Sequence, residues 1–88
     1  MIIFIVKRYL WDGERYVQTF RRNYDKQYKA KNHILDYKKD LSHDVELKVL
    51  TEEEYTQGEL LYNIEFSWTG YFNTARKEKL TISREYVY

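Results

Sequence analysis

The stretch IIFIVKRYLWDGERYVQTFRR, residues 2–22, predicts a β-hairpin near the start of the chain. Apolar side chains fill both alternating sets of positions in its first part, which is typical of a buried strand. Asp12-Gly13 is a strong hairpin signal, because a two-residue type I′ turn needs positive φ at both positions. We therefore expect one strand over residues 2–11, a tight turn, and a return strand over residues 14–22.

A two-residue turn fixes which residues of the two strands lie opposite each other. It places Tyr9 beside Tyr16 and Trp11 opposite Glu14, whereas a shift of one residue would move every side chain to the other face. The same pairing predicts one shared face for three arginines, Arg8, Arg15 and Arg21. The rings and the neighbouring guanidinium groups form the first set of candidate partner-binding residues: Tyr9, Trp11, Tyr16, Arg15 and Arg21.

Residues 23–44, NYDKQYKAKNHILDYKKDLSHD, predict one amphipathic helix. Its apolar side chains recur at intervals of four, three and four residues, which aligns them along one side of a helix: Ala30, Ile34, Tyr37 and Leu41. The opposite side is polar and rich in lysine. We expect the apolar side to pack against strand residues further along the chain: Ile64, Phe66, Leu80 and Ile82.

Three more strands are predicted after the helix. VELKVL (45–50) alternates like a half-buried strand, ELLYNIEFSW (59–68) alternates most regularly, and EKLTISREYVY (78–88) forms the last strand. Between the first two, TEEEYTQG (51–58) predicts a turn or a short helical coil, because its first and fourth residues have the spacing of a capping box.

The element order ββαβββ predicts a single α+β domain over residues 1–88. A twisted, mostly antiparallel sheet of about five strands would carry the helix on one face, because one helix covers only one face of a sheet. The uncovered face, rich in Tyr and Trp, is then a natural contact surface.

Composition narrows the class of protein. The 88 residues include no cysteine, which excludes disulfides and cysteine-ligated metal sites. No apolar run approaches the ~20 residues of a membrane span, and the opening MIIFIV lacks the features of a signal peptide. We expect no membrane association and a cytoplasmic location. Ten tyrosines, with lysine and asparagine, are typical of chains from AT-rich genomes and their phages, so the location would be the host cytoplasm for a phage-encoded protein.

Catalytic signals are weak. The two histidines, His33 and His43, lie on the predicted helix and in its last turn, and a general base also needs a partner group and a pocket. No glycine-rich phosphate loop is present among three scattered glycines. We therefore expect a protein that is not an enzyme and that has no catalytic residues, cofactor or metal.

Charge is distributed unevenly along the chain. Residues 1–31 carry a net charge of +5, residues 32–69 carry −6, and residues 70–88 carry +2. The acidic middle segment could meet a basic groove of another protein. Its charges would then raise the association rate, and aromatic rings would act as anchors.

Our leading hypothesis is a small protein-binding module of the phage or mobile-element type, an inhibitor or adaptor that acts on a host protein of unknown identity. Three rings at the end of the fourth strand and in the loop after it complete the candidate partner-binding residues: Trp68, Tyr71 and Phe72. Trp68 could equally continue the core stripe of its strand. A homodimer that buries the uncovered face is also possible.

The alternative hypothesis is a nucleic-acid-binding module. Basic groups next to the aromatic rings of the first hairpin resemble a stacking platform for single strands. The same arrangement also arises when solvated lysines and arginines merely cover tyrosine rings.

Overall fold

The computed structural model describes residues 1–70 and 74–88. Its elements, in chain order, are β1 (Ile2–Trp11), β2 (Tyr16–Tyr24), α1 (Gln27–Asp44), β3 (Lys48–Glu54), β4 (Leu60–Thr69) and β5 (Ala75–Tyr86). The strands form one antiparallel sheet in the order β2-β1-β5-β4-β3. The predicted α+β fold, with the order ββαβββ and one helix on one sheet face, is confirmed.

The helix packs its apolar side on the sheet as predicted. Ala30 and Ile34 are fully buried, and Tyr37 and Leu41 are partly buried against the same core. Two-residue alternation on the sheet side supplies most of the remaining core, because it directs every second side chain towards α1: Val6, Tyr62, Ile64, Phe66, Leu80 and Ile82. Leu61, at a register shift in β4, also belongs to this core.

The predicted pairing of the first hairpin is wrong. Trp11 lies opposite Tyr16, so the loop spans four residues instead of two. The side chain of Asp12 causes the difference, because its Oδ1 accepts hydrogen bonds from the backbone N–H groups of Glu14 (2.8 Å) and Arg15 (2.9 Å). An aspartate that bonds the backbone of the turn in this way replaces the type I′ geometry. Gly13 still adopts positive φ, at 106°.

A β-bulge then changes the face of the residues beyond it. Tyr9 lies opposite Gln18, whereas Arg8 lies opposite Phe20, so Thr19 has no opposite residue in β1. Arg8 lies on the α1 side by alternation with Val6, and the extra residue in β2 places Phe20 on that same side. Arg21 pairs with Lys7 on the other side, which we call the open face. The predicted common face for the arginines is therefore wrong.

The position of β3 also differs from the prediction. The strand covers Lys48–Glu54 and not residues 45–50, so the acidic segment predicted as a turn or coil is part of the sheet. Only Thr51 of this strand is even partly buried. Alternation of Val45, Leu47 and Val49 favoured the earlier residues, but the pairing partner, β4, extends the strand through the glutamates.

The helix covers the sheet unequally. The backbone of α1 runs closest to β1, β2 and β5, whereas β3 lies at the far edge of the sheet. A depression therefore remains along the boundary between α1 and β3.

Gly13 tests the revised turn. Gly13→Ala should lower the free energy of unfolding by about 1 kcal/mol or more, because a Cβ is strained at positive φ. Gly70→Ala is the matched control, since Gly70 does not have positive φ and a Cβ there makes ordinary contacts at 3.6 Å and 3.9 Å. Urea denaturation of both variants measures the difference. An equal, small effect at the two glycines would contradict the turn geometry.

Candidate protein-binding surfaces

The structure brings three of the predicted site residues together on the open face. Trp11 and Tyr16 pack edge to face, with ring centres 5.2 Å apart and planes at 71°. Two lysines of β5 join these rings and Tyr9, although the sequence analysis did not include them. We call this group the aromatic–lysine cluster: Tyr9, Trp11, Tyr16, Lys77 and Lys79.

The lysines lie over the ring faces. The Nζ atom of Lys77 is 4.2 Å from the centre of the Trp11 ring. The Nζ atom of Lys79 is 4.8 Å from the Tyr9 ring and 4.7 Å from the Tyr16 ring. Each such contact stabilises the fold by about 0.5–1 kcal/mol at an exposed site. The chain's own ammonium groups therefore occupy ring surface that a partner would otherwise contact.

A carboxylate lies next to this cluster. The Tyr16 hydroxyl donates a hydrogen bond to Glu65 of β4, and Lys77 Nζ lies 3.5 Å from the same carboxylate. Burial, followed by this hydrogen bond and the negative charge of Glu65, raises the pKa of Tyr16. The cluster thus combines rings, two ammonium groups and one adjacent carboxylate, and Glu65 offsets one of the two positive charges.

The other predicted site residues lie elsewhere. Arg15 is exposed in the hairpin turn, and Arg21 Nη2 lies 3.8 Å from a Glu85 carboxylate oxygen on the open face. Trp68 is partly buried on the α1 side with its ring centre 5.8 Å from that of Phe66, which favours the interpretation as a core residue. The predicted contact residues Tyr71 and Phe72 lie outside the described residues.

A second surface, missed by the sequence analysis, lies between the helix and the far strand. We call it the α1–β3 groove; it consists of two depressions of about 610 Å³ and 470 Å³. Exposed apolar side chains stand on both of its walls, with Tyr28 and Leu35 on α1 and Val49 on β3. Lys31 crosses between the walls, because its Nζ pairs with Glu54 and lies 3.5 Å from the centre of the Tyr62 ring.

The β3 side of the groove is strongly acidic. Glu52 accepts a hydrogen bond from the Tyr62 hydroxyl at 2.9 Å, and Glu53 accepts one from the Tyr55 hydroxyl. Burial and the carboxylate of Glu52 raise the pKa of Tyr62, which keeps its hydroxyl protonated as a donor. Among the described residues, neither of these glutamates has a cationic partner within 4.0 Å.

A buried carboxylate and a partly buried guanidinium lie under the helix. The Arg8 guanidinium is 4.4 Å from the Phe20 ring centre and 4.5 Å from the Tyr37 ring centre. The Tyr37 hydroxyl donates to Glu78, which is only 4% exposed, at 2.7 Å and 2.9 Å from its two oxygens. Burial raises the pKa of Glu78, and the hydrogen bond and Arg8 oppose this change. These contacts hold α1 on the sheet.

His33 belongs to the same side of the molecule. Its Nδ1 shares a hydrogen bond with the Tyr24 hydroxyl, and its ring centre lies 5.2 Å from that of Phe20. Burial, with the positive charges of Arg8 and Arg22, lowers the pKa of His33. The imidazole therefore favours its neutral form and acts as a packing and hydrogen-bonding group.

Within residues 1–70 and 74–88, no group of three or more histidine, aspartate or glutamate side chains is arranged to hold a metal ion. In the same part of the chain, no helix combines the length and the apolar character needed to cross a membrane.

No family model, curated protein or solved structure matches this chain. Function is therefore inferred from the chemistry of the surfaces described above.

The environment of His33 predicts a pH effect on stability. Because its pKa is lowered in the folded state from an ordinary 6.5, the unfolded chain binds the proton first as the pH falls. The contribution of His33 to the free energy of unfolding is complete above pH 6.5 and is lost as the pH falls towards the pKa of His33 in the folded state. His33→Gln should therefore lose less stability than the wild type between pH 7.5 and pH 5.5.

Urea titrations at several pH values measure this difference. Glu78 is present in both proteins, so its own titration does not separate them. His43→Gln, at an exposed position in the last turn of α1, controls for removal of an imidazole elsewhere. Identical pH slopes for the wild type and His33→Gln would contradict the assignment.

Proposed function

We propose that this protein is a non-enzymatic protein-binding module that contacts its partner through the α1–β3 groove. One observation carries the proposal: exposed apolar side chains line both walls of a groove beside an unpaired strand edge. Tyr28 is 63% exposed, Leu35 48% and Val49 41%. Leu35 and Val49 line the same depression from opposite walls, so a partner can bury them together, and Tyr28 lines the neighbouring depression.

The free energy gained by burying these apolar side chains is sufficient for recognition of a partner. Full burial of a leucine or valine side chain contributes about 1.5–3 kcal/mol, and about half of this remains to be gained at Leu35 and Val49, which are 48% and 41% exposed. A few such residues at the centre of an interface dominate affinity, and polar groups around them exclude water. Lys38, Lys39 and Glu46 stand around the Leu35 end of the groove and supply this polar rim.

The aromatic–lysine cluster is a weaker choice for the main contact. Its rings already contact Lys77 and Lys79, so a partner would have to displace these side chains before stacking. Glu65 beside the cluster would also repel phosphate groups. These features favour protein binding over the nucleic-acid alternative. The observation that supports the alternative is the presence of Lys77 and Lys79 beside the rings.

The proposal extends to the way such a module acts. A domain that works by surface contact alone can block or redirect another protein, as an inhibitor or adaptor does, without catalytic groups. The ten tyrosines, with lysine and asparagine, are typical of proteins from AT-rich genomes and their phages, and this supports a host protein as that target. A homodimer that pairs open faces is compatible with this function, since it leaves the groove free.

Substitution of the groove should remove the partner without unfolding the protein. Leu35→Ser with Val49→Ser should weaken partner binding by on the order of 2 kcal/mol or more, because both apolar walls are lost. The matched control is Val17→Ser with Leu60→Ser, which removes the same two side chains at similarly exposed positions, 42% and 40%. Thermal melting by circular dichroism establishes that both variants fold.

The measurement is capture from nuclease-treated lysate of the cells that make the protein, followed by quantitative mass spectrometry. A specific partner should be retained by the wild type and the control and depleted with the groove variant. Equal retention by both variants would contradict the groove as the contact surface. Capture that occurs in untreated lysate and is lost after nuclease treatment would instead support the nucleic-acid alternative.

A further inference from the structure

We infer that the groove receives an extended, cationic segment of the partner, which pairs with β3 as a sixth strand of the sheet. This inference rests on the proposed function and specifies the chemistry of the partner. It follows from the free edge of β3, from the unneutralised glutamates along it, and from the apolar wall of α1 beside it.

The free edge supplies the backbone contacts. β3 pairs with β4 on one side only and is the last strand of the sheet. Every second residue of such a strand directs its N–H and C=O groups away from the sheet, where an added strand can bond them. The strand is seven residues long, which is enough to align a peptide.

The side chains of β3 set the charge of that segment. Three consecutive glutamates alternate across the sheet, with Glu52 and Glu54 on the α1 side and Glu53 on the open face. Only Glu54 has a cationic partner among the described residues, namely Lys31. The Tyr62 and Tyr55 hydroxyls hold Glu52 and Glu53 in place. Lysine or arginine on both faces of an added strand would therefore meet fixed carboxylates.

The start of β3, near Val49, determines where the partner segment should be apolar. Val49 lies on the α1 side, and Leu35 of the helix lines the same depression. A strand added beside Val49 would turn every second side chain towards this wall. The favoured segment thus has an apolar residue at one end and basic residues at the other.

A second copy of this chain fits the edge less well. Two parallel β3 strands in register would place glutamates against glutamates. In the antiparallel pairing centred on Thr51, Lys48 would lie opposite Glu54, which Lys31 already pairs, and the other two glutamates would face Val49 and Leu50. The opposite edge, β2, does carry arginines, but Arg21 pairs with Glu85 and the Arg22 guanidinium lies 5.1 Å from the Tyr24 ring centre. Bulges interrupt both edges, at Thr19 in β2 and at Leu50 in β3, and they oppose the continuous pairing of these two strands from different copies. A short peptide needs only the regular stretch of β3 from Thr51 to Glu54.

Synthetic peptides test the inference. The probe is a capped seven-residue peptide with valines at one end and consecutive lysines at the other, so that lysine lies on both faces of the added strand, and it has two controls. In one control glutamate replaces lysine. The other keeps every side chain but carries N-methyl groups on alternate amides, which blocks strand pairing while the charge is unchanged. Dissociation constants from fluorescence anisotropy are combined with amide chemical shifts of β3.

Glu52→Gln with Glu53→Gln should weaken binding of the lysine peptide by about fivefold, because two charge pairs are lost while the tyrosine hydrogen bonds can persist. Glu14→Gln with Glu59→Gln is the matched control, since it removes two exposed charges elsewhere and should have little effect. The wild type should bind the lysine peptide with shifts in β3 amides and should bind neither control peptide.

Four results would overturn the inference. Equal binding of the N-methylated peptide would mean that charge alone attracts it, and equal binding of the glutamate peptide would exclude a cationic segment. Concentration-dependent self-association that is lost in Glu52→Gln with Glu53→Gln would make a second copy the occupant. If the peptides fail but the natural partner still depends on Leu35 and Val49, the proposed function stands and the occupant is not a cationic strand.

Discussion

One helix has to cover a sheet that is wider than the helix. Adjacent strands lie about 4.8 Å apart, so five strands span about 19 Å, whereas a helix with its side chains is about 10 Å across. α1 takes the side of β1, β2 and β5, where Ala30 and Ile34 are fully buried. The opposite edge is left with a strand, β3, that is paired on one side and exposed along most of its length.

The unequal cover explains the chemistry on each side of the molecule. Under the helix, Glu78 is hydrogen-bonded to Tyr37, and the Arg8 guanidinium lies between two rings while its buried Nε has no hydrogen-bond partner among the described residues. At β3, carboxylates face solvent and are held by tyrosine hydroxyls. Charged side chains on an edge strand oppose pairing of that edge with another copy, and under the proposed function the three glutamates would also favour a partner of opposite charge.

Much of the fold was predictable because it depends on periodic apolar patterns. The spacing of Ala30, Ile34, Tyr37 and Leu41 identified the helix and its buried side, and alternation identified β4 and its core residues. The hairpin pairing was not predictable from Asp12-Gly13, because the Asp12 side chain bonds the turn and because a bulge at Thr19 has no distinct sequence signal.

The candidate site was predictable only in part. Tyr9, Trp11 and Tyr16 do gather on the open face, but Lys77 and Lys79 join them through long-range pairing of β5 with β1. The α1–β3 groove was missed because Thr51 and Glu54 have the spacing of a helix cap. Pairing with β4 outweighed this local signal and placed the glutamates at the edge of the sheet.

Residue-by-residue amide hydrogen exchange of the free protein, measured by NMR at two concentrations, tests the central claim that β3 is an open edge. The account predicts strong protection in β1 and β5, whereas β3 amides directed away from β4 exchange on the order of a hundredfold faster or more at both concentrations. Protection of those β3 amides equal to that of β5 would show that the edge is already covered, and would contradict the account.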